Sequence, residues 1–281
     1  MASFKDMKKN RMANLESLSK QVEKLAERPS YEDERIWKLE RDKSGNGYAV
    51  IRFLPAPKDE SVPWVRIWTH GFKGPGGWYI ENSLTTLGKD DPVSKANTAL
   101  WNSGIDSDKN IARERRRKLN YYSNIYVIED SLNQQNEGKV FLFRYGKKIF
   151  EKITGVMNPE FADETPMNPF DLWEGANFKI KMRQVDGFPN YDKSEFTDVC
   201  PLSGNEKEME ELWNQQYSLS EVIEEKNFKN YAELEARFNT VIAHEGKEFV
   251  GTIEESTDDP VATGEKTDDT LDYFKKLAEQ D

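Results

Sequence analysis

The sequence predicts a mainly β protein with helices, an α+β fold, and two observations favour this class. Hydrophobic and polar residues alternate with a period of two in several short runs, which is the spacing of half-buried strands. Segments near both ends instead place hydrophobic residues at helical spacing. Many short strands with aromatic faces suit a small closed barrel such as an OB-fold, although the pattern also allows another all-β sandwich. We expect this core at 29–250.

The N-terminal segment, residues 1–28, predicts a basic helical arm. Its hydrophobic residues share one helical face: Leu15, Leu18, Val22 and Leu25. Seven lysines and arginines outnumber four acidic residues. Pro29 ends the helix, so we expect the arm to be separable from the core.

Strands are predicted at 37–42, 47–55, 62–72, 78–83, 121–130, 140–149 and 177–187. Asn46-Gly47 predicts a type I′ hairpin turn between the first two, and the glycine-rich residues 73–77 predict a hairpin loop. Between the strands, residues 84–118 predict a polar, partly helical insertion. Residues 147–157 predict a short helix, and 205–244 predict a longer helical segment.

The C-terminal segment, residues 251–281, predicts a disordered acidic tail. It has ten acidic residues against three lysines and little that could pack. The net charge of −11 argues against a simple basic nucleic-acid binder, but the basic arm and acidic tail make the charge strongly asymmetric.

Catalytic chemistry is not predicted. Two histidines, one cysteine and no phosphate-binding glycine motif leave no constellation for a nucleophile or a metal nuclease. No hydrophobic run approaches the length of a membrane helix and no signal peptide is present, so we expect a soluble intracellular protein.

Cations interleaved with aromatic residues are the informative pattern. Five of the six residues at 113–118 are cationic, and they lead directly into Tyr121 and Tyr122. Cations bind phosphates and aromatic faces stack on bases, so the pattern favours a single-stranded nucleic-acid surface. Taken singly, each cluster is better explained by solvated charges and by aromatic residues in the core.

Several longer motifs carry a family resemblance: GNG-x-AVIRFLP (45–55), HGF (70–72), WYIE (78–81), EGKVF (137–141), GKKI (146–149), WEGANF (173–178) and QV-x-GF-x-NYD (184–192). In this order they resemble the single-stranded DNA-binding, helix-destabilising proteins of T-even-like bacteriophages, over roughly residues 37–195. The resemblance implies an OB-fold core that acts in DNA replication, recombination and repair in the cytoplasm of the infected bacterial host.

The resemblance also implies partners. The arm would bind neighbouring copies on DNA, with Lys8, Lys9 and Arg11 near the family's basic box, although its hydroxyl residues are missing here. The tail would recruit phage replication and recombination proteins (polymerase, helicase loader and recombination mediator) and compete with DNA for the core.

Site residues follow from the resemblance position by position. DNA-contacting cations fall on Arg52, Arg116, Arg117 and Arg144, and stacking aromatics on Tyr121, Phe188 and Tyr191, with Phe143 where the family has tyrosine. By proximity we add Lys118, Tyr122, Lys147 and Lys148.

The family's structural zinc is expected to be absent. Only His70 of its ligands remains, since the cysteine positions fall on Ser83, Val93 and Ala96. We expect hydrophobic packing to hold the insertion instead, through Leu84, Leu87, Leu100 and Trp101, and His70 to be an ordinary strand residue. An acidic protein-interaction scaffold, with an OB-like barrel that does not bind DNA, remains the alternative function.

Overall fold

A computed structural model of the chain describes residues 33–161 and 163–243. These contain nine strands: β1 (Ile36–Trp37), β2 (Gly47–Phe53), β3 (Val65–Gly74), β4 (Gly77–Asn82), β5 (Lys118–Asp130), β6 (Val140–Gly146), β7 (Ala176–Val185), β8 (Phe188–Asn190) and β9 (Glu195–Val199). They also contain five α-helices: α1 (Pro92–Asn102), α2 (Asp106–Glu114), α3 (Lys147–Met157), α4 (Glu206–Asn214) and α5 (Tyr231–Ile242). The α+β class is confirmed. The arm at 1–28 and the tail at 251–281 lie outside the described residues.

Strand β5 organises the sheet because it pairs with three other strands. It runs antiparallel to β6 over most of its length. Its first residues pair with β3, with Lys118 opposite Thr69, and its last residues pair with β2, with Asp130 opposite Ala49. On the far side of β2 lies β7, which also pairs with β8 and β9, while β1 is parallel to β6. The two halves of β5 thus join two parts of one sheet.

The first hydrophobic core lies between the β2, β5, β6 and β7 faces and helix α3. Phe53 is fully buried at its centre, and its ring packs against Phe143, Tyr145, Phe170, Phe178 and Phe196. Helix α3 covers this core with Ile149 and Ile153. Burial of such side chains contributes about 1.5–3 kcal/mol each, so this cluster is a principal source of stability.

A second core joins the β3–β4 hairpin to helix α5 and to the start of the insertion. Phe72 and Tyr79 stack with ring centroids 5.1 Å apart, and Phe238 of α5 packs edge-on against both. The turn of the hairpin meets the end of α5, where the Gly76 N–H donates to the Val241 carbonyl at 2.9 Å. The hairpin and α5 therefore form one packed unit.

Several predicted elements are confirmed. The insertion is helical, and α1 begins with Asp91 as its N-cap and Pro92 at its first position, a combination that favours helix initiation. Residues 147–157 form α3, and the glycine-rich residues 73–77 turn β3 into β4. The 205–244 segment contains α4 and α5, with only short helical turns between them.

Two local predictions are wrong. Asn46-Gly47 does not form a type I′ turn, because Gly45 is the residue with positive φ there and β1 pairs with β6 rather than with β2. The strand predicted at 37–42 ends at Trp37. The indole of Trp37 donates to Asp130 at 2.9 Å, which anchors this short strand against the end of β5. Among the described residues, none of the helices is long and hydrophobic enough to cross a membrane.

Candidate nucleic-acid interface

The arginine run lies between the end of α2 and the start of β5. The guanidinium of Arg115 lies over the rings of Phe72 and Phe238, at 5.6 and 5.7 Å, and burial lowers its pKa. Two residues later, Arg117 lies over the ring of Trp68 at 4.4 Å, within the range of a cation–π contact. The chain therefore places alternate arginines on aromatic residues of β3 and of α5.

Three cations of this run are available to a ligand. Arg116, Arg117 and Lys118 are exposed, and none of them forms an ion pair with a carboxylate in the described part of the chain. Arg183 of β7 differs, because it is paired with Asp192 at 2.6 Å. A phosphate that binds Arg183 would have to displace this carboxylate, whereas a phosphate that binds Arg116, Arg117 or Lys118 would not.

A second group of cations lies at the same end of the β5–β6 pair. Asn120 lies opposite Gly146, so the residues that enter β5 and those that leave β6 are neighbours. Arg144 is exposed and donates from Nε to the Asn120 side chain at 3.2 Å. Lys147 and Lys148 are exposed in the first turn of α3, where the helix dipole favours an anion.

The β7–β8 hairpin brings an aromatic residue to these lysines. Asp186 and Gly187 both have positive φ and form its tight turn, which leaves Phe188 74% exposed. Lys148 donates to the Asn190 side chain at 3.3 Å, so the hairpin lies beside the start of α3. Tyr191 is only partly exposed, packs against the first core, and has its pKa raised by burial.

Three of the aromatic residues predicted to bind DNA are core residues in this structure. Tyr121, Tyr122 and Phe143 are between 5% and 7% exposed. The ring of Tyr121 stacks on Phe150 at 3.9 Å, so a base could take that face only by displacing Phe150. Burial raises the pKa of Tyr121 and of Tyr122.

Arg52 is fully buried. Its guanidinium donates to the carbonyls of Asp171 and Cys200, at 2.8 and 2.9 Å, and to the side chain of Asn177 at 3.2 Å. Burial lowers the pKa of this guanidinium. In this structure Arg52 ties β2 to the segments that precede β7 and follow β9, and it presents no atom to a phosphate.

Comparison with known proteins agrees with this basic and aromatic surface. A family model described as "gp32 DNA binding protein like" matches residues 45–242. The chain belongs to the gp32-like DNA-binding family. It is 40% identical over 231 residues to the single-stranded DNA-binding protein of Enterobacteria phage T2, covering 80% of this chain and 76% of that protein. It is also 40% identical over 216 residues to the protein of the same description from phage T4, covering 76% and 72%.

Two residues of this gp32-like chain that lie at the interface are not predicted from the sequence. Arg66 lies opposite Tyr121 and Trp68 lies opposite Leu119 in the β3–β5 register, so both share the face that the arginine run crosses. Arg66 is exposed and Trp68 is partly exposed. Their period-two spacing in VRIWT is the signal that indicates a shared face, but the sequence alone does not show which face stays open.

We name the exposed cations at this end of the gp32-like domain the cationic surface; its members are Arg66, Arg116, Arg117, Lys118, Arg144, Lys147 and Lys148. Two aromatic residues lie beside it: Phe188, which is exposed, and Trp68, which is partly exposed beneath Arg117. The register of β5 separates the cations onto both sides of the sheet, because Arg144 faces the side of Tyr122 whereas Arg66 faces the side of Tyr121.

The surroundings of His70 do not fit the zinc that the gp32-like resemblance implies. Ser83, Val93 and Ala96 offer a hydroxyl and two aliphatic side chains where thiolates would be needed. In residues 33–161 and 163–243, no group of three or more His, Cys, Asp or Glu side chains is arranged to hold a metal ion. His70 is nevertheless not the ordinary strand residue that the sequence predicts, because it is buried beside Asp91.

Hydrophobic packing of the insertion at 84–118 is weaker than the sequence predicts. Leu84 is buried and Leu87 packs against the second core, but Trp101 is 46% exposed and lies under the guanidinium of Arg113.

Proposed function

We propose that this protein binds single-stranded DNA without sequence preference, through the cationic surface and the aromatic rings of Trp68 and Phe188. The observation that carries the proposal is the run Arg116–Lys118, which is exposed and free of described carboxylate partners in a chain of net charge −11. Family membership supports it, since the T2 and T4 relatives are named for single-stranded DNA binding. Phosphates and ring faces are common to all nucleotides, so such contacts carry little sequence information.

The preference for single strands follows from the exposed rings. Stacking on an aromatic side chain contributes about 1–3 kcal/mol per base, and only an unpaired, splayed base can use it. A duplex keeps its bases stacked inside, so the protein gains less from binding it. Binding thus shifts the equilibrium toward the single strand and destabilises helices.

Arg52, Tyr121, Tyr122 and Phe143 have a supporting role in this proposal. Tyr121 and Phe143 are buried in the first core, Tyr122 is buried in the second, and Arg52 is buried among carbonyls next to β7. Their burial fixes the strands that present the cations. Tyr191 supports the β7–β8 hairpin in the same way, while Phe188 at its tip reaches the nucleic acid.

Salt dependence tests the proposal. Replacing Arg116 and Arg117 by alanine removes two phosphate contacts, so the slope of log affinity against log salt for poly(dT) should become shallower by about 1.4. The matched control replaces Lys181 and Arg183, which lose the same charge but are paired with Glu195 and Asp192. Equal slope changes in both variants would show an effect of net charge alone. Tight binding of duplex by the wild type would contradict the preference for single strands, and no binding of poly(dT) would favour the scaffold function instead.

We further propose that the core is an OB-type barrel at 29–250. The pairing of β5 with three neighbouring strands and the position of α3 between β6 and β7 in the chain support this proposal. We infer a binding protein rather than an enzyme, without zinc, acting in the cytoplasm of the infected host in replication, recombination and repair. Metal analysis of the purified full chain tests the zinc statement, and stoichiometric zinc would contradict it.

The proposed roles of the two ends rest on the family resemblance, and their charge agrees with those roles. The arm, with Lys8, Lys9 and Arg11, would bind a neighbouring copy and make DNA binding cooperative. The tail at 251–281 would recruit replication and recombination proteins and compete with DNA for the cationic surface. Deletion of residues 1–28 should leave the affinity for a single-copy oligonucleotide near wild type while cooperativity on poly(dT) falls.

A further inference from the structure

Asp91 joins the start of the insertion to the end of β4. One of its oxygens accepts from the backbone N–H groups of Val93 and Ser94, both at 3.0 Å, and the other accepts from the Ser83 hydroxyl at 3.0 Å and the Leu84 N–H at 3.2 Å. Burial raises the pKa of Asp91, but hydrogen bonds from His70 and Ser94 outweigh it and leave the pKa below its usual value. The buried carboxylate thus fixes both α1 and the turn before it.

His70 links this carboxylate to the arginine run. Its Nε2 lies 3.3 Å from Asp91 Oδ1, and its Nδ1 lies 2.9 Å from the carbonyl oxygen of Arg115. A carbonyl oxygen can only accept, so Nδ1–H donates to it, and the contact of Nε2 with the Asp91 carboxylate is favourable when Nε2 carries a proton as well. Both side chains of the pair are 1% exposed, which shields these contacts from water.

The backbone held by His70 immediately precedes the ligand-binding residues. Arg115 follows the last residue of α2 and comes just before Arg116 and Arg117. Only a few hydrophobic residues of the insertion are buried in the described part of the chain: Leu84, Val93 and Ala112. Packing alone therefore constrains the insertion weakly, and the polar contacts carry much of the remaining constraint.

We propose that His70 is a positioning residue for the DNA interface: held by Asp91, it fixes the Arg115 carbonyl and thereby sets Arg116 and Arg117 over β3. This buried polar pair does in this chain what a metal would do in a zinc-organised insertion. The inference rests on the proposed DNA-binding function, because its consequence is the position of two phosphate-binding groups.

Two isosteric substitutions separate the two contacts of the ring. In His70→Asn the amide nitrogen occupies nearly the place of Nδ1, so the bond to Arg115 is kept and the contact with Asp91 is lost. In His70→Gln the amide reaches the place of Nε2, so the contact with Asp91 is kept and the bond to Arg115 is lost. Each variant loses one buried contact, so a comparable fall in the midpoint of urea unfolding is expected.

Binding to poly(dT) over a salt series then distinguishes positioning from stability. His70→Gln should bind with a slope shallower than wild type by up to about 1.4, the loss of two phosphates, whereas His70→Asn should keep nearly the wild-type slope. Identical slopes in wild type, His70→Asn and His70→Gln would overturn the inference while leaving the proposed function intact. A wild-type chain without salt-dependent binding would instead overturn the proposed function. Treatment of the wild type with a chelator should not change its slope; a change would overturn the inference, because a metal would then hold the run.

A measurement on the wild-type chain covers the case in which both variants fail to fold. Exchange of the His70 Nδ1 proton with solvent, followed by ¹⁵N NMR, should be slow and should slow further when oligo(dT) binds. Coupling is reciprocal, so a bond that positions the arginines must be stabilised when DNA holds them. An exchange rate unaffected by oligo(dT) would overturn the inference.

Discussion

Exposure of individual side chains separates aromatic residues that can stack on bases from those that build the core. Phe188 is 74% exposed at the β7–β8 turn. Phe188→Ala should therefore weaken binding to poly(dT) by about 1–3 kcal/mol, the value of one stacked base. The free energy of unfolding should stay nearly unchanged, because little of this side chain is buried. Fluorescence titration and urea unfolding measure the two quantities.

Trp173→Ala is the matched control for Phe188. Trp173 is also an exposed aromatic residue, at 56%, but it precedes the first residue of β7 whereas Phe188 follows the last. The ten residues of this strand separate the two by about 30 Å. Equal losses of affinity in both variants would contradict a local stacking role. Unfolding of Phe188→Ala would support the scaffold alternative, in which the aromatic residues serve only the core.

The burial of Arg52 shows why residue roles were only partly predictable. In AVIRFLP a cation between hydrophobic residues suggests a strand with one solvent-exposed face. Both faces of β2 are covered here, and the charge is satisfied by carbonyls from segments more than a hundred residues away. Likewise, His70, Asp91 and Arg115 belong to three separate parts of the chain, and no hydrophobic repeat in the sequence predicts that they are in contact.

At the scale of elements, the approach of the β3–β4 hairpin to α5 is sensitive to a single methyl group. A Cβ at Gly74 would clash with the backbone carbonyl of Val241, which cannot move away by a change of side-chain rotamer. Gly74→Ala should therefore cost about 1–3 kcal/mol of stability through overpacking. Gly71 in the same strand has open space and no positive φ, so Gly71→Ala should be neutral or stabilise by about 0.5 kcal/mol. Urea unfolding of both variants measures the difference; equal stabilities would mean that the hairpin and α5 are not in close contact.

Elements with a strong local period were predictable, and those defined by distant contacts were not. Strands β2 and β5 to β7 follow runs rich in β-branched and aromatic residues, and helix α3 has regular hydrophobic spacing, so local pattern was sufficient. Strands β8 and β9 are short and mostly exposed, and they exist because β7 offers them hydrogen bonds. The Asn46-Gly47 prediction failed for the same reason, since β2 finds its partners in β5 and β7 rather than in the preceding strand.

At the scale of the whole molecule, the separation of charge predicts a competition between the tail and DNA. Residues 251–281 carry a net charge of −7, and their removal changes the net charge of the chain from −11 to −4. A polyanionic segment that occupies the cationic surface lowers the apparent affinity for DNA. Screening weakens that internal contact as salt rises, since the Debye length shrinks to about 3 Å at 1 M.

The chain lacking residues 251–281 should therefore bind poly(dT) more tightly than the full chain at low salt. In the full chain, rising salt also releases the tail from the cationic surface, so the difference in affinity between the two chains should shrink. The affinity of the truncated chain should therefore fall more steeply with salt than that of the full chain. The control replaces Glu206, Glu210 and Glu211 of α4 by glutamine, which also makes the net charge less negative but leaves the tail in place. If this variant gains as much affinity for each negative charge removed as the truncated chain does, general repulsion between protein and DNA explains the effect. If only the truncation steepens the salt dependence, the tail acts as a competitor at the cationic surface, and any partner that captures the tail would also strengthen DNA binding.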